Sequence, residues 1–368
     1  MSRFSNLGHR LYQGEVSFDF VGRRKLWYSI SGVIVLVAAV GLAMGLKLGI
    51  EFKGGSVYTV AKPGLTISQA QDAVDKIVHS HPLVQDVDNG KKIRVQVSSE
   101  EQVSSSVFTD KLSKELGVPV AEIDTQVIGP SWGEQISKKA LTGLIIFMVL
   151  VTVYLAIAFE WRMAVAALVA LVHDLLITIG VYALVGFEVT PGTVIGFLTI
   201  LGYSLYDTVV VFDTVKENAK GLTKQNKITY SEAANAGLNQ TLVRSLNTTV
   251  VALLPVAALL FIGGGILGAG TLNDISLALF IGLAAGAYSS ICVATPLLAQ
   301  LKEEQPEMKA LAKRVALRRA SEAKNAAAGG EVPQGEEIAD GDLPAGMVGQ
   351  RGRAAGTSRA KGRPSTKR

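Results

Sequence analysis

The sequence predicts an α-helical polytopic membrane protein with six transmembrane helices and an α+β ferredoxin-like extracytoplasmic domain between helices 1 and 2. Three observations support this fold class. Only 18% of the 368 residues are charged, whereas soluble domains contain about 25% charged residues. The apolar residues collect in runs of about 20, long enough to cross the ~30 Å hydrocarbon core of a bilayer as helices. Between the first two runs lies a long polar segment with the periodicity of strands and helices. These features exclude a soluble enzyme.

Six apolar runs define the predicted spans, which are 27–46, 140–159, 163–186, 193–212, 242–262 and 275–298. The first run is longer than the ~7–15 residue core of a signal peptide, so we expect it to be a retained anchor. The spans divide the chain into a cytoplasmic N-terminal segment (1–26), the first span (27–46), the extracytoplasmic domain (47–139), a bundle of the second to sixth spans (140–298) and a charged, largely disordered cytoplasmic tail (299–368).

The distribution of Lys and Arg predicts that both termini are cytoplasmic. The loop between the third and fourth spans and the glycine-rich loop between the fifth and sixth contain neither residue. Lys and Arg lie instead in the N-terminal segment and in the loop between the fourth and fifth spans, at Arg3, Arg10, Arg23, Arg24, Lys25, Lys216, Lys220, Lys224 and Lys227. Short cytoplasmic loops carry the excess of positive charge in membrane proteins. The tryptophans lie near span ends, as an aromatic belt requires, at Trp27, Trp132 and Trp161.

Residues 47–139 are predicted to form a βαββαβ domain. Alternating apolar residues indicate strands at 56–60, 84–87, 93–97 and 123–127, and helical spacing indicates helices near 67–78 and 103–116. Thr66 or Ser68 is available to cap the first helix, and Asn89-Gly90 is typical of a hairpin turn. This element order is that of the ferredoxin-like split arrangement.

The tail begins with a charged helix near 302–324 and then becomes rich in Ala, Gly, Pro and Arg. Such a composition cannot bury a core, so we expect a disordered, solubilising tail. Contact of the basic end, 351–368, with anionic lipid or an RNA-containing partner is the alternative. We do not expect nucleic acid to be a partner of the protein.

Ionisable residues within the spans form the candidate functional site. A charged side chain in hydrocarbon costs several kcal/mol, so it usually faces the interior of a bundle. His173 and Asp174 lie midway along the third span, Asp207 lies deep in the fourth, Asp213 ends that span, and Arg244 opens the fifth. Asp207 and Asp213 are about 240° apart around their helix, because each residue turns it by ~100°.

Asp207 has the properties of a proton carrier. Desolvation raises the pKa of a carboxyl group and a nearby guanidinium lowers it, so a deep carboxyl beside Arg244 is suited to bind and release a proton near neutral pH. We therefore expect Asp207 and Arg244 to form an ion pair that opens and closes. Simpler roles stay open for the other candidates: Asp213 as a solvated interfacial residue, Arg244 as a topology anchor, and His173-Asp174 as a packing pair.

Two glycine-containing segments join the external domain to the spans. Gly49, Gly54 and Gly55 follow the first span, and Gly129-Pro130 precede the second. Because glycine permits backbone rotation and proline limits it, we expect hinges that couple the domain to the membrane carboxylate. Tight turns at the bilayer surface are the simpler interpretation. Thr190-Pro191 is expected to start the fourth span as cap and first-turn proline.

Several sequence blocks resemble the SecF branch of the SecD/SecF family, within the resistance-nodulation-division transporter superfamily. The most specific matches lie around the fourth span: GFEVTP (186–191), FLTILGYS (197–204), DT (207–208), VFD (211–213) and KEN (216–218). Further matches are GIEFKGGS (49–56), IGP (128–130) and NQT (239–241), the last followed by Arg244 and Thr248. The chain departs from the family pattern at Glu51, Lys53, Tyr206 and Ser245, where Asp, Thr, Asn and Thr, respectively, are the more usual residues.

The resemblance implies a function in bacterial protein export across the plasma (inner) membrane, without enzymatic activity. It implies a SecD partner that completes a two-fold transporter, with the SecYEG channel, the SecA motor and a translocating unfolded polypeptide as further partners. It also implies a proton or sodium gradient as the energy source and no other cofactor. Matched residue by residue, Asp207 occupies the position of the family's proton-pathway aspartate, and Arg244 that of the arginine that works with it.

Two other functions remain open from the sequence. LYD (205–207) is similar to the Tyr-Asp pair of intramembrane aspartyl proteases, which need a second aspartate on another helix, and Asp174 is the only remaining candidate for it. A small-molecule or lipid exporter of the same superfamily would share the architecture but would not depend on the export channel.

Overall fold

The computed structural model describes residues 17–78, 82–87, 92–98, 104–266 and 270–327. Its helices and strands in chain order are α1 (Arg24–Met44), β1 (Lys47–Leu48), α2 (Ile50–Lys53), β2 (Gly55–Ala61), α3 (Ile67–Asp75), β3 (Leu83–Val87), β4 (Lys92–Ser98), α4 (Ser105–Leu116), β5 (Ile123–Ile128), α5 (Pro130–Ala158), α6 (Trp161–Val185), β6 (Glu188–Val189), α7 (Pro191–Asn218), α8 (Tyr230–Ala258), α9 (Gly270–Ser289), α10 (Thr295–Glu303) and α11 (Pro306–Ala327). Two π-helical segments, Leu259–Ile266 and Ser290–Ala294, follow α8 and α9.

Within the described residues, six helical stretches are long and apolar enough to cross a membrane, which confirms the six predicted spans. Helices α1, α5, α6, α7 and α8 are the first to fifth spans, and α9, the segment Ser290–Ala294 and α10 together form the sixth. Some helices begin well before their apolar runs: the second span starts at Pro130 rather than 140, and the fifth at Tyr230 rather than 242. Hydropathy marks the part of a helix that lipid covers, whereas capping sets its end. Thr229 caps the fifth span by accepting a hydrogen bond from the Glu232 N–H at 3.3 Å.

The spans pack closely where one of them carries glycine. A Cβ on Gly180 of the third span would lie 2.2 Å from the Cβ of Ala38 in the first. A Cβ on Gly282 of the sixth span would lie 2.2 Å from the Cδ1 of Ile200 in the fourth. The third and sixth spans are the most buried, whereas fewer than a fifth of the residues in the most apolar stretch of the first, second and fifth are buried. The bundle therefore presents broad apolar surfaces to its surroundings.

The segment between the first two spans forms the predicted βαββαβ domain. Its four-stranded sheet has the order β3-β4-β2-β5 with every neighbouring pair antiparallel. Helices α3 and α4 supply Val74 and Leu112 to one core with Tyr58 of β2, so both helices cover the same face of the sheet. Thr66 caps α3 by accepting a hydrogen bond from the third helical N–H, which decides between the two predicted caps. The predicted turn at Asn89-Gly90 lies outside the described residues.

The chain enters the external domain through a strained glycine pair. Gly54 has φ 79° and Gly55 has φ 154°, values that favour glycine because they crowd a Cβ. A Cβ on Gly55 would also lie 2.4 Å from the carbonyl oxygen of Val97. These two positions therefore require glycine for the domain to join the first span in this arrangement.

The tail continues from the sixth span as helix α11, Pro306–Ala327, against the predicted 302–324. Leu311 and Val315 of this helix are buried, and Arg319 forms an ion pair with Glu232 at 2.8 Å. Helix α11 therefore lies against the start of the fifth span. The remainder of the tail, 328–368, lies outside the described residues, as do Arg3 and Arg10.

Candidate functional site

The fourth span carries the candidate carboxylate Asp207. Thr190 and Pro191 begin this helix as predicted: the Thr190 Oγ1 accepts a hydrogen bond from the Thr193 N–H at 3.3 Å, and Pro191 occupies the first turn. Asp207 is only 5% exposed, whereas Asp213 of the same helix is exposed. The two carboxylates thus leave the helix on different sides, as its geometry requires.

Two serines from neighbouring spans hold the Asp207 carboxylate. Ser245 Oγ of the fifth span donates to Oδ1 at 2.7 Å, and Ser290 Oγ of the sixth span donates to Oδ2. Among the residues that the structure describes, Asp207 forms no ion pair. A hydroxyl both donates and accepts hydrogen bonds, so this shell can satisfy the carboxyl group in its ionised and in its protonated form. The site is therefore suited to exchange a proton without first separating an ion pair.

A second buried carboxylate, Asp174 of the third span, has a similar shell. Ser204 Oγ donates to Oδ2 at 2.5 Å, and Ser289 Oγ donates to the same oxygen at 2.8 Å. His173 Nδ1 lies 3.3 Å from Oδ1, and the His173 ring stacks on Tyr288 with the ring centroids 6.0 Å apart. The third span therefore contributes a second acid to the interior of the same bundle.

Consecutive residues of the sixth span connect these two carboxylates. Ser289 donates to Asp174 and Ser290 donates to Asp207, at the point where α9 gives way to the π-helical segment Ser290–Ala294. Short π-helical turns occur frequently at functional sites. The sequence alone does not single out these serines, because a serine in a span commonly bonds to the backbone of its own helix. A pair of adjacent serines in an otherwise apolar run is the only signal for them.

Arg244 does not pair with Asp207 in this structure, so the expected ion pair that opens and closes would be open in this arrangement and stays a prediction. Arg244 is exposed, and its Nη2 donates to the hydroxyl of Tyr206 at 3.0 Å. The side chains of Arg244 and Ser245 leave their helix ~100° apart because they are consecutive. Ser245 therefore faces Asp207 while Arg244 faces outward, beside Tyr206, which is 54% exposed. Two of the departures from the family pattern, Tyr206 and Ser245, are thus the contacts of Arg244 and Asp207.

The residues expected to act as hinges differ in backbone conformation. Gly54 and Gly55 have the positive φ values given above, whereas Gly49 and Gly129 have φ −62° and −68°, which any residue adopts. Pro130 occupies the first turn of the second span. Among these residues a positive φ therefore occurs only at Gly54 and Gly55, and the hinge role of the five residues stays a prediction.

Comparison with known proteins identifies close relatives of this chain. Residues 108–304 match the family described as protein export membrane protein SecD/SecF, C-terminal, and residues 41–61 match the SecD/SecF GG motif. The protein translocase subunit SecF of Streptomyces coelicolor is 56% identical over 100% of both chains. The protein translocase subunit SecDF of Thermus thermophilus is 31% identical over 80% of this chain and 40% of its own length. The crystal structure of SecDF from Thermus thermophilus, described as a translocon-associated membrane protein, has a TM-score of 0.67 and 29% identity, and the match covers 79% of this chain and 39% of that one.

Proposed function

The chain belongs to the SecD/SecF family of protein export membrane proteins, and from this premise we propose that it uses an ion gradient to promote the translocation of unfolded polypeptides across the bacterial plasma membrane. The coupling ion in this proposal is a proton, with sodium as the alternative, and no other cofactor takes part. The chain has a transport function in the proposal and no enzymatic one.

The observation that carries the proposal is the buried Asp207 in its shell of two serines. An ionisable residue inside a membrane bundle is costly and therefore usually functional, and Asp207 changes charge here without breaking an ion pair. Asp174 and His173 would extend the ion path within the bundle. Asp213, exposed at the end of the same span, is solvated there, and the proposal assigns it no step in the ion path.

The outward position of Arg244 supports a membrane partner. Arg244 opens the apolar run of the fifth span, and Val251, two turns further along the same face of the helix, is also exposed. An arginine exposed on the apolar part of a span is costly to leave in lipid, so a protein surface that accepts its N–H groups is favoured. We propose that a SecD subunit supplies this surface. The relative named SecDF supports this assignment, because this chain covers only 40% of it.

The SecYEG channel and the SecA motor are the further partners in the proposal. The solved relative is described as translocon-associated, which supports contact with a protein channel. The even number of spans among the described residues supports having both termini on one side of the membrane. The Lys and Arg residues of the loop between the fourth and fifth spans support the cytoplasm as that side.

The experiment that tests the proposal compares Asp207→Asn with the matched control Asp213→Asn. Inverted membrane vesicles that contain this chain, SecD, the channel and the motor are supplied with an export substrate, with and without an imposed gradient. We expect Asp207→Asn to reduce the export rate to that without a gradient, because an amide cannot carry the ion. We expect Asp213→Asn to retain most of the stimulation.

The amount of inserted chain and of SecD bound to it must be equal in both variants, so that a folding defect is recognised. Full stimulation in Asp207→Asn would refute the proposal. Imposing the proton gradient and the sodium gradient separately identifies the ion, since only the coupled one stimulates the wild type.

The two alternative functions fit the site less well. An aspartyl protease needs two carboxylates that share a proton, but Asp174 and Asp207 are each held by their own pair of serines, and no hydrogen bond joins them among the described residues. A small-molecule exporter is disfavoured by the names of the relatives, which refer to a protein translocase.

A further inference from the structure

An apolar cavity lies between the second and fourth spans, at the end of the bundle that carries the external domain. Leu141 and Leu144 line it from the second span, Val194 and Phe197 line it from the fourth, and Phe52 lines it from α2, at the entrance to the external domain. Its volume is about 280 Å³. Because a cavity of about 150 Å³ holds one benzene molecule, this cavity has room for roughly ten carbon atoms.

The side chains that line the cavity are suited to hydrocarbon rather than to a polar ligand. Nine of the ten are apolar, and the tenth is Ser137. The Ser137 hydroxyl donates to the Gly133 carbonyl of its own helix at 2.9 Å, so its proton is already used. A buried water molecule needs about two to four polar partners, and these side chains do not supply them. The chemical class of the ligand is therefore an aliphatic chain.

The cavity lies at the depth of lipid acyl chains. Trp132 is 58% exposed on the first turn of the second span, and tryptophan is enriched where a span meets the membrane surface. Ser137 and Leu144 lie about 8 and 18 Å beyond it along the helix, at 1.5 Å per residue. The cavity is thus mainly within the leaflet on the side of the external domain, since the hydrocarbon core is ~30 Å thick. The lining residue Leu141 is 60% exposed, so the cavity opens on the lipid-facing surface of the bundle.

Two exposed lysines lie beside this opening, nearer to the membrane surface. Lys138 precedes Leu141 by three residues, so it lies on the same face of the second span, one helical turn closer to the external domain. Lys139 follows it and is also exposed. The ion pair of Lys138 with Glu134 has both side chains more than two-thirds exposed, and such pairs contribute little to stability. Both ammonium groups are therefore available to the phosphate of a lipid whose chain enters the cavity.

We propose that the cavity binds one acyl chain of a phospholipid from the leaflet on the side of the external domain, with the lipid phosphate at Lys138 and Lys139. A gap in a protein interior loses the packing contacts of its lining atoms, and inside a bilayer acyl chains are present to fill it. Next to the cavity, a Cβ on Gly133 would lie 2.5 Å from the Phe52 carbonyl oxygen, so the second span and α2 are in close contact there. The bound chain packs beneath the junction of the external domain with the bundle and supports it.

The test uses the full chain in nanodiscs of phosphatidylethanolamine and phosphatidylglycerol that contain a trace of phosphatidylglycerol with a photoreactive diazirine on one acyl chain. Because neither Asp207 nor its two serines line the cavity, the measurement needs no gradient and no export. After illumination, mass spectrometry of the digested chain locates the crosslinked residues. The amount of phosphatidylglycerol that stays with the chain through exchange into detergent is measured in parallel.

We expect the wild type to be crosslinked at the cavity residues Leu141 and Val194 more strongly than at Ile157, which is 82% exposed at the other end of the second span. Ala140→Phe should abolish the crosslinks in the cavity, because Ala140 lines it and the added ring takes the space of the chain. Ala156→Phe is the same change at an exposed position of the same span, far from the cavity, and should keep the crosslinks.

Replacement of the lysines tests the position of the headgroup. Lys138→Gln and Lys139→Gln should each lower the retained phosphatidylglycerol by about fivefold, the contribution of one lysine beside an anionic headgroup. Lys111→Gln, which changes an exposed lysine of α4 in the external domain, should leave the retained amount at the wild-type level.

Four results would overturn the proposal. Crosslinks spread evenly over the exposed residues of the spans would mean that only bulk lipid contacts the chain. Unchanged crosslinks in Ala140→Phe would place the bound chain elsewhere, and equal retention in the wild type and both lysine variants would do the same for the headgroup. Loss of the wild-type crosslinks on addition of SecD would mean that a partner protein fills the cavity. If Ala140→Phe does not insert, the wild-type crosslinks and the lysine variants decide the question.

Discussion

Removing the hydroxyl of Ser290 should change the pH dependence of gradient-driven export, whereas removing that of its neighbour Ser289 should not. Ser290→Ala takes one donor from Asp207, and Ser289→Ala takes one donor from Asp174. Both serines are fully buried and adjacent in the sixth span, so their replacement disturbs packing to a similar extent. A comparison of the two variants therefore identifies which of the two buried carboxylates exchanges the coupling proton.

The size of the effect follows from the hydrogen bond that is lost. A hydrogen bond to a charged group contributes about 1.5–3 kcal/mol, and one pH unit corresponds to about 1.4 kcal/mol. Because the Ser290 hydroxyl donates to the ionised carboxylate, its loss favours the protonated form. The bond of about 0.5–1.5 kcal/mol to the protonated acid is lost as well, so only the difference counts, and the midpoint of the export profile should move to higher pH by about one unit. Ser245→Ala removes the other donor and should shift the midpoint in the same direction. The shift in the double variant should be smaller than the sum of the two single shifts, because both serines donate to the same carboxylate.

The assay is the rate of gradient-driven export in inverted vesicles, measured across a pH series with the size of the imposed gradient held constant. Ser31→Ala is a further control, because its buried hydroxyl pairs with the Tyr288 hydroxyl at 2.9 Å and with no carboxylate. Both Ser31→Ala and Ser289→Ala should give the wild-type midpoint.

An unshifted profile in Ser290→Ala would show that the protonation of Asp207 does not limit export. Equal shifts in Ser289→Ala and Ser290→Ala would also contradict the assignment, because they would mean that Asp174 and Asp207 titrate as one coupled pair.

Two further predictions concern the packing of the spans and the outer surface of the fifth span. Gly180→Ala should lower the free energy of unfolding by about 1–3 kcal/mol, because its Cβ would lie 2.2 Å from that of Ala38. Gly143→Ala, with no atom within 4 Å, should be neutral or stabilising; equal unfolding transitions of the two variants in detergent would contradict this argument. Arg244→Met should weaken co-purification with SecD more than Arg244→Lys, which keeps the charge but loses the planar fork. Tyr206→Phe should have a smaller effect than either, and unchanged recovery of SecD with Arg244→Met would remove the proposed contact.

The architecture could be predicted from the sequence because a bilayer imposes a length and a polarity on each span. Periodicity within 47–139 was enough for the order of elements in the external domain, since one face of each strand and helix is buried there. The residues at which the helices begin and end were harder to predict from the sequence. The fifth span starts at Tyr230, because Thr229 caps the helix there. The helical turns between Tyr230 and the apolar run are polar, so hydropathy does not mark them as part of the span.

The candidate site could be predicted only in part. The depth of Asp207 along its span is a property of sequence position, and its burial could be expected because a charged group inside a span usually faces the interior of the bundle. The direction in which Arg244 points depends on how the fifth span is rotated against the fourth, which no periodicity of a mostly apolar helix determines. The serine shell depends on the same rotation, and on the π-helical segment that directs Ser289 and Ser290 to two different carboxylates.

The fourth span directly follows strand β6, which pairs in parallel with β1 at the entrance to the external domain. Glu188 of β6 lies two residues before the capping residue Thr190, and Asp207 lies 16 residues after Pro191, about 24 Å along the helix at 1.5 Å per residue. The cap and the first-turn proline keep the outer end of this helix from fraying, so a displacement at Glu188 is carried along a rigid element. The Asp207 carboxylate accepts a hydrogen bond from Ser290 of the π-helical segment in the sixth span. The regular α-helical hydrogen bonding of the span is interrupted in this segment. The π-helical segment, which can rearrange more easily than a regular helix, therefore contacts the Asp207 carboxylate. The fourth span is the rigid element that leads from this carboxylate toward the external domain. We therefore expect a change of charge at Asp207 to reach the external domain through this one helix.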